Sequence, residues 1–221
     1  MKYCHLEKFD LNKLHPLNIY SLAANVIPEN VKILEIGGAD GFFSEYLAKE
    51  KKGEVFIIEK DEEAVSQAKK KGLQAVAGDI EDKAVLKKIT TLGKFDIILS
   101  LALIEHLVDP LEALKSWQPL LKEEGKLVIS TSNIAHWTAR LKILEGKFAY
   151  EKYGIFDESH LHFFTIDSFK KLLKEAGFKE KIFLIDPVGG GWPKISRFLS
   201  RFFPGLFAYQ MLIVAEKGDL R

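Results

Sequence analysis

The chain has 221 residues, with 32 Lys and Arg against 31 Asp and Glu, and a single cysteine. That length suits one α/β domain with modest additions and a good-sized core. A formal net charge of +1 gives no reason to expect a nucleic-acid partner, and the lone Cys4 excludes an intrachain disulfide and a cysteine-rich zinc site.

Met1 to Asp10 is charged and lacks an apolar signal core, and no uninterrupted apolar run approaches a membrane span. A cytoplasmic protein without an integral membrane segment is the expectation. Residues 1–30 precede the first strand. Within them Leu17, Ile19, Tyr20, Leu22, Ala23, Val26 and Ile27 follow a helical period that Pro28 ends, which predicts a lead-in helix placed to lie over a ligand mouth.

The next stretch is the most informative. A short apolar strand begins at Val31 and runs into Glu35-Ile36-Gly37-Gly38-Ala39-Asp40-Gly41, and a helix is expected over about 42–51. Glycines there let the backbone approach a ligand with no Cβ in the way. The fixed negative charge of Glu35 disfavours a phosphate, which loop amides and a helix start would otherwise attract. A dinucleotide fingerprint fails: in one register it needs glycine at Ala39 and Phe42, in the other at Asp40 and Phe43. A ligand with an amino group and a sulfonium charge suits the acid, and S-adenosylmethionine is that ligand.

From there apolar runs and helical patterns alternate. Strands are expected at 54–59, 73–78, 95–100 and 125–131, and helices at 61–71, 82–91 and 109–121, which argues for a parallel sheet wound on both faces. The second strand ends at Glu59, about twenty residues past the loop, where an acid can hold vicinal ribose hydroxyls. The third ends in Gly78-Asp79-Ile80, and the fourth, ending at Ser100, runs into Leu101-Ala102-Leu103-Ile104-Glu105-His106-Leu107.

These strand ends carry a family resemblance. Glu35, Gly37 and Gly41, with Ala39 in place of the middle glycine, resemble the first motif of class I S-adenosylmethionine-dependent methyltransferases, and Leu103 to Leu107 resembles their motif after the fourth strand. The resemblance implies a Rossmann-like α/β fold: a seven-stranded, mostly parallel sheet with an antiparallel C-terminal strand and helices on both faces. It implies that Glu35, Gly37, Gly38, Ala39 and Gly41 hold the methionine part, that Glu59 with its neighbour Lys60 serves the ribose, and that Asp79 and Ile80 serve the adenine. Ser100, Leu101 and Ala102 are expected to wall the sulfur side, with S-adenosylhomocysteine as product. A metal is not expected, because Ala102 stands where some relatives' metal-binding box has its first acid.

Thr131 to Thr165 is long, aromatic and histidine-bearing, and is expected to form a substrate-facing insert within a domain of residues 31–221. Its segments Asn133 to Arg140 and Asp157 to Thr165 resemble methyltransferase domains of surface-polysaccharide and sugar-modification clusters and MetW-like proteins. The resemblance implies methyl transfer to a small-molecule acceptor, foremost an oxygen of a sugar or related metabolite. The competing class is a binding or regulatory partner of a biosynthetic enzyme that retains the cofactor fold. His106, His136 and His160 are the general-base candidates, Arg140 a candidate for an anionic acceptor group, and His162 reads as structural.

Beyond the insert, a helix is expected from Asp167 to Ala176, a strand from Phe178 to Asp186 and a closing strand from Leu206 to Ala215. Between them, residues 192–204 set Ile195, Phe198, Leu199 and Phe202 on one helical face and Lys194, Arg197 and Arg201 on another. Such a face more often packs on its own domain or in a homodimer than as a peripheral contact with a membrane surface.

Overall fold

The computed structural model describes residues 10–187 and 193–218. Seven strands, β1 (Lys32–Ile36), β2 (Glu54–Glu59), β3 (Gln74–Ala77), β4 (Phe95–Leu101), β5 (Leu121–Ser132), β6 (Phe178–Asp186) and β7 (Gln210–Lys217), form one sheet in the order β3-β2-β1-β4-β5-β7-β6. Neighbours from β3 to β5 pair in parallel, and β7 runs antiparallel to both β5 and β6. The strand order reverses between β1 and β4, so the crevice that binds ligands in open α/β sheets opens where those two strands end.

The central strands read as continuous apolar runs because helices cover both faces. Alternation then divides the side chains. Leu34, Ile36 and Ile98 join one core with Trp117 and Phe169, while Ile33, Ile97 and Leu99 join another with Phe43 and Leu47. The covering helices are α1 (Ile19–Val26), α2 (Phe42–Glu50), α3 (Glu62–Lys70), α4 (Lys83–Thr90), α5 (Pro110–Trp117), α6 (Trp137–Leu144) and α7 (Ile166–Glu175). Side-chain oxygens of Asn18, Asp61, Asp82 and Asp109 accept backbone N–H bonds at the starts of α1, α3, α4 and α5, and Thr165 forms a capping box with Ser168.

Three boundaries differ from expectation. The helix expected to reach residue 121 stops at Trp117, because Pro119 brings a 3₁₀ turn, Gln118–Leu120. The fifth strand begins at Leu121, where it pairs with Phe95 across a register shift. The closing strand begins at Gln210 rather than Leu206. After α8 (Pro193–Leu199), Pro204 starts another short helix, α9 (Pro204–Phe207), which takes up the residues expected to open that strand.

The lead-in helix forms as α1. Its Ile19 N–H bonds the Asp186 carboxylate at 3.2 Å, and it packs on β6 and β7. Its first turn reaches the start of α2, where the Tyr20 ring lies 5.1 Å from that of Phe42 and 5.4 Å from that of Phe43. The Met1 to Asp10 reading falls mainly outside the described residues, as do the three consecutive glycines at 189–191 and Trp192. Among the described residues no helix is long and apolar enough to cross a membrane.

Trp117 is fully buried in the first core, where truncation leaves a cavity the surrounding strands and helices do not fill. Trp117→Ala is expected to lower stability by about 3–5 kcal/mol, read as a lower midpoint in urea unfolding.

Candidate functional site

The loop after β1 is built from left-handed turns, with φ of +78° at Gly37, +47° at Ala39 and +75° at Gly41. Space is as restrictive as conformation. A Cβ on Gly38 would stand 2.8 Å from Ile57 Cγ2, and one on Gly41 would stand 2.5 Å from Leu73 Cδ1. Ala39 accepts a backbone region that costs a non-glycine residue roughly 1–2 kcal/mol. The strain is held by a specific bond: its N–H donates to Glu59 Oε2 at 3.0 Å, while Glu59 Oε1 accepts from Asp61 N–H at 3.0 Å. One carboxylate at the end of β2 therefore ties the loop after β1 to the start of α3.

Glu35 lies behind this loop. It is buried, and its Oε2 accepts from the Ser44 hydroxyl of α2. Burial pushes its carboxyl up to about 7, against the lowering effect of the Ser44 bond. Asp40 beside it is held by Lys71, whose Nζ lies 3.0 Å from Oδ2.

A cleft of about 130 Å³ opens at the ends of β1 to β4. Glu59, Lys60 and Asp79 are its polar lining, and Ile36, Ile58, Ile80, Leu103 and Leu107 its apolar lining. Asp79 Oδ2 takes an ion pair from Lys60 at 2.8 Å, which with a bond from Glu81 N–H holds its carboxyl below the usual range. Glu81 in turn accepts from Val108 N–H at 2.9 Å and Asp109 N–H at 2.8 Å, so the loop after β3 is fastened to the loop after β4. Two carboxylates and several apolar side chains lining one cleft suit a ligand with an apolar body and hydroxyl or amino donors.

Gly37, Glu59, Lys60, Asp79, Ile80 and His106 thus line one cleft, and Gly38, Ala39 and Gly41 shape the loop beside it. Ser100, Leu101 and Ala102 are not on this wall. Ser100 is fully buried, and Ala102, at φ +50°, donates its N–H to Ser130 O at 3.2 Å, which turns the chain so that Leu103 faces the cleft. Among the described residues no cluster of His, Cys, Asp and Glu has the makings of a metal site.

The three candidate histidines separate. His106 lines the cleft, and its Nδ1 lies 3.1 Å from Ser159 O, a contact in which the ring nitrogen donates to the carbonyl. The His160 ring is 4.7 Å away, with its Nδ1 3.1 Å from Ile155 O and its Nε2 4.0 Å from Glu105 Oε1. His136 is fully buried and caps α6, its Nδ1 2.8 Å from Thr138 Oγ, and burial lowers it to about 4. It does not reach this cleft. Arg140 donates from Nε to Ala135 O at 2.6 Å, and His162 Nε2 lies 3.3 Å from Val108 O.

Glu105 is the residue that sequence reasoning missed. It is 1% exposed, its carbonyl accepts from Leu161 N–H at 2.9 Å and His162 N–H at 3.1 Å, and its Oε1 accepts from Ser132 N–H at 3.2 Å. It fastens the insert to the loop after β4, and burial pushes its carboxyl up to about 7. The available signal was an acid inside an otherwise apolar segment. Glu81 was also missed, because a backbone clamp leaves no motif, and Leu103, though inside the motif after β4, receives no role from it.

A family profile described as a methyltransferase domain matches residues 14–180. A ubiquinone biosynthesis O-methyltransferase of Histophilus somni is 34% identical over 134 residues, covering 56% of each chain. The chain spans about half the length of the curated relatives it matches. Among solved structures, a Thermotoga maritima protein described as an S-adenosylmethionine-dependent methyltransferase, possible histamine N-methyltransferase, superposes with a TM-score of 0.62 at 20% identity, covering 90% of this chain and 87% of that one. An S-adenosylmethionine-dependent methyltransferase of Mesorhizobium loti gives a TM-score of 0.62 at 14% identity, covering 90% and 98%.

The Glu105 carboxyl, raised from 4.5 to about 7, contributes stability that is complete below its unfolded value and is lost as pH rises through about 7. Glu105→Gln is expected to gain on the wild type by on the order of 2 kcal/mol between pH 5 and 8, measured as the difference in urea unfolding free energy at the two pH values.

Proposed function

The chain belongs to the methyltransferase-domain family, and we propose that it transfers a methyl group from S-adenosylmethionine to an oxygen of a small-molecule acceptor, a sugar or related metabolite. The observation that carries this reading is that Glu59 and Asp79 line one cleft together with Ile36, Ile58, Ile80 and Leu103, next to the left-handed loop after β1. The O-methyltransferase relatives support an oxygen acceptor. The resemblance of the insert to sugar-modification enzymes supports the acceptor class.

In this reading Glu59 accepts from the ribose hydroxyls with lone pairs beyond those given to Ala39 and Asp61. Asp79 accepts from the adenine amino group, Ile80 packs on the ring, and Lys60 keeps Asp79 ionised. The loop from Gly37 to Gly41 holds the methionine end, with Glu35 buried beneath it, where an ammonium or sulfonium cation favours its charged form. The cofactor supplies an electrophilic methyl group. Transfer is an in-line displacement that gains most from positioning, and the insert, fastened through Glu105, holds the acceptor. His106 Nε2 takes the acceptor's hydroxyl proton as the oxygen attacks.

Calorimetric titration of the chain with S-adenosylmethionine and S-adenosylhomocysteine tests the first half. Both should bind, and Glu59→Ala should weaken both by about 1.5–3 kcal/mol. No binding of either ligand would sink the reading. Release of S-adenosylhomocysteine across a panel of hydroxyl acceptors tests the second half. His106→Ala should lower kcat by about a hundredfold or more at saturating cofactor, with any loss of cofactor affinity from its place in the cleft lining read separately by the titration. Cofactor binding with no turnover on any acceptor, and copurification with a biosynthetic enzyme, would replace catalysis with the regulatory role.

A further inference from the structure

Outside the cleft, the segment after β6 carries a feature that methyl transfer does not use. Helix α8 and the turn after it expose Ile195, Phe198, Phe202 and Phe203 at 50, 61, 65 and 59%. A fold that buries Trp117, Phe95 and Phe169 completely leaves four large apolar side chains to water within nine residues. Of the face expected to pack on its own domain or on a second subunit, Ile195, Phe198 and Phe202 are left uncovered by this domain, while Leu199 is half-buried. The Phe198 and Phe202 rings instead meet edge-on at 5.7 Å and form a ridge.

The charge around the ridge has one sign. Lys194 and Arg201 are exposed beside it, Arg197 lies between them, and no Asp or Glu occurs from Pro187 to Ala215. Behind α8 a cleft of about 640 Å³ separates this helix from β6 and α1. Leu17, Leu22, Phe183 and Ile185 give it an apolar floor, and Arg197 and Arg201 a cationic rim. Arg197 is braced there by His15, whose Nε2 lies 2.8 Å from Nη1.

We propose that this ridge docks the protein on an anionic phospholipid bilayer, with the aromatic side chains entering the interfacial layer and Lys194, Arg197 and Arg201 meeting lipid phosphates. Aromatic side chains among cations are the composition that binds such an interface, by apolar burial and by attraction to anionic headgroups together. The cleft behind α8 has the matching chemistry for one lipid, a hydrocarbon floor under a phosphate-binding rim. A second copy of the chain is the poorer occupant. A two-fold contact would set these cations against their own copies with no acid in the patch to neutralise them. The ridge follows the end of β6, and Asp186 there pairs with Gln210 as Ser132 of β5 does. It therefore stands on the same edge of the sheet as the cofactor cleft.

The test is co-sedimentation of the full chain with vesicles of phosphatidylcholine alone and with about one third phosphatidylglycerol, at low and high salt. Binding should require the anionic lipid and weaken at high salt. The lipid concentration for half-binding should rise roughly fivefold per charge in Lys194→Gln and Arg201→Gln. It should rise about tenfold or more in Phe198→Ser with Phe202→Ser. Far-UV circular dichroism checks folding, and the charge variants carry the test if the aromatic variant fails to fold. Absence of sedimentation with either vesicle, or binding indifferent to both sets of substitutions, would overturn the proposal. So would a concentration-dependent dimer in sedimentation velocity that the aromatic substitutions dissolve, which would make the ridge a subunit interface.

Discussion

The site depends on one carboxylate that holds two loops. Glu59 takes the Ala39 N–H on one oxygen and the Asp61 N–H on the other, each at 3.0 Å. The first bond stabilises a left-handed alanine in a loop whose neighbouring glycines have no room for a side chain. The second fixes the entry to α3, whose N-cap is Asp61 itself. The polar lining of the cleft is referred to this point. The loop after β3 is set against the loop after β4 by a second bridging carboxylate, Glu81. The cleft is thus framed by acids that work twice, once as structural acceptors for backbone N–H groups and once as the charged wall a ligand meets.

Electrostatics divide the acids by depth. Glu59 and Asp79 line the cleft, where Lys60 holds the Asp79 carboxyl below the usual range. Glu35 and Glu105 lie beneath, and burial raises both to about 7, at the balance between neutral and charged forms near that pH. A buried group at that balance answers to its neighbours. Glu35 sits behind the loop, and Glu105 sits where the insert joins the sheet, beside the His160 ring that faces His106. The insert is therefore joined to the cleft by a short chain of titratable groups as well as by backbone bonds.

The sheet was legible in the sequence because its central strands are buried on both faces and end in acids and glycines, which neither periodicity nor composition disguises. The polar lining was legible for the same reason: Glu59, Lys60 and Asp79 directly end strands or follow them. The segment after β4 was not legible. Sequence reasoning places Ser100, Leu101 and Ala102 on the sulfur side and does not single out Leu103, which lines the cleft of Glu59 and Asp79 just after a left-handed turn at Ala102; a backbone reversal at a non-glycine residue leaves no compositional mark. Histidines were equally opaque. The same residue type lines the cleft at position 106, braces the insert at 160 and caps a helix at 136, and only the tertiary fold separates these uses. The C-terminal region misled for a simpler reason, since apolar residues around Leu206 suit a buried strand until Pro204 starts a turn of helix.

The position of β7 bears on how the molecule is made. It is the last of the seven strands in chain order, yet it lies inside the sheet, between β5 and β6. Until residues 210–217 are available, β5 lacks its outer partner and β6, which pairs with β7 alone, has no place in the sheet. Unpaired strands of this kind recruit strands from other molecules. During vectorial synthesis the earlier β–α units can pair as they emerge, while the half of the sheet that carries the insert waits for the C-terminal segment to slot in. Emergence of the segment up to Lys217 is thus the event that completes the sheet, and a chain held short of it leaves β5 with an open edge and β6 without a partner.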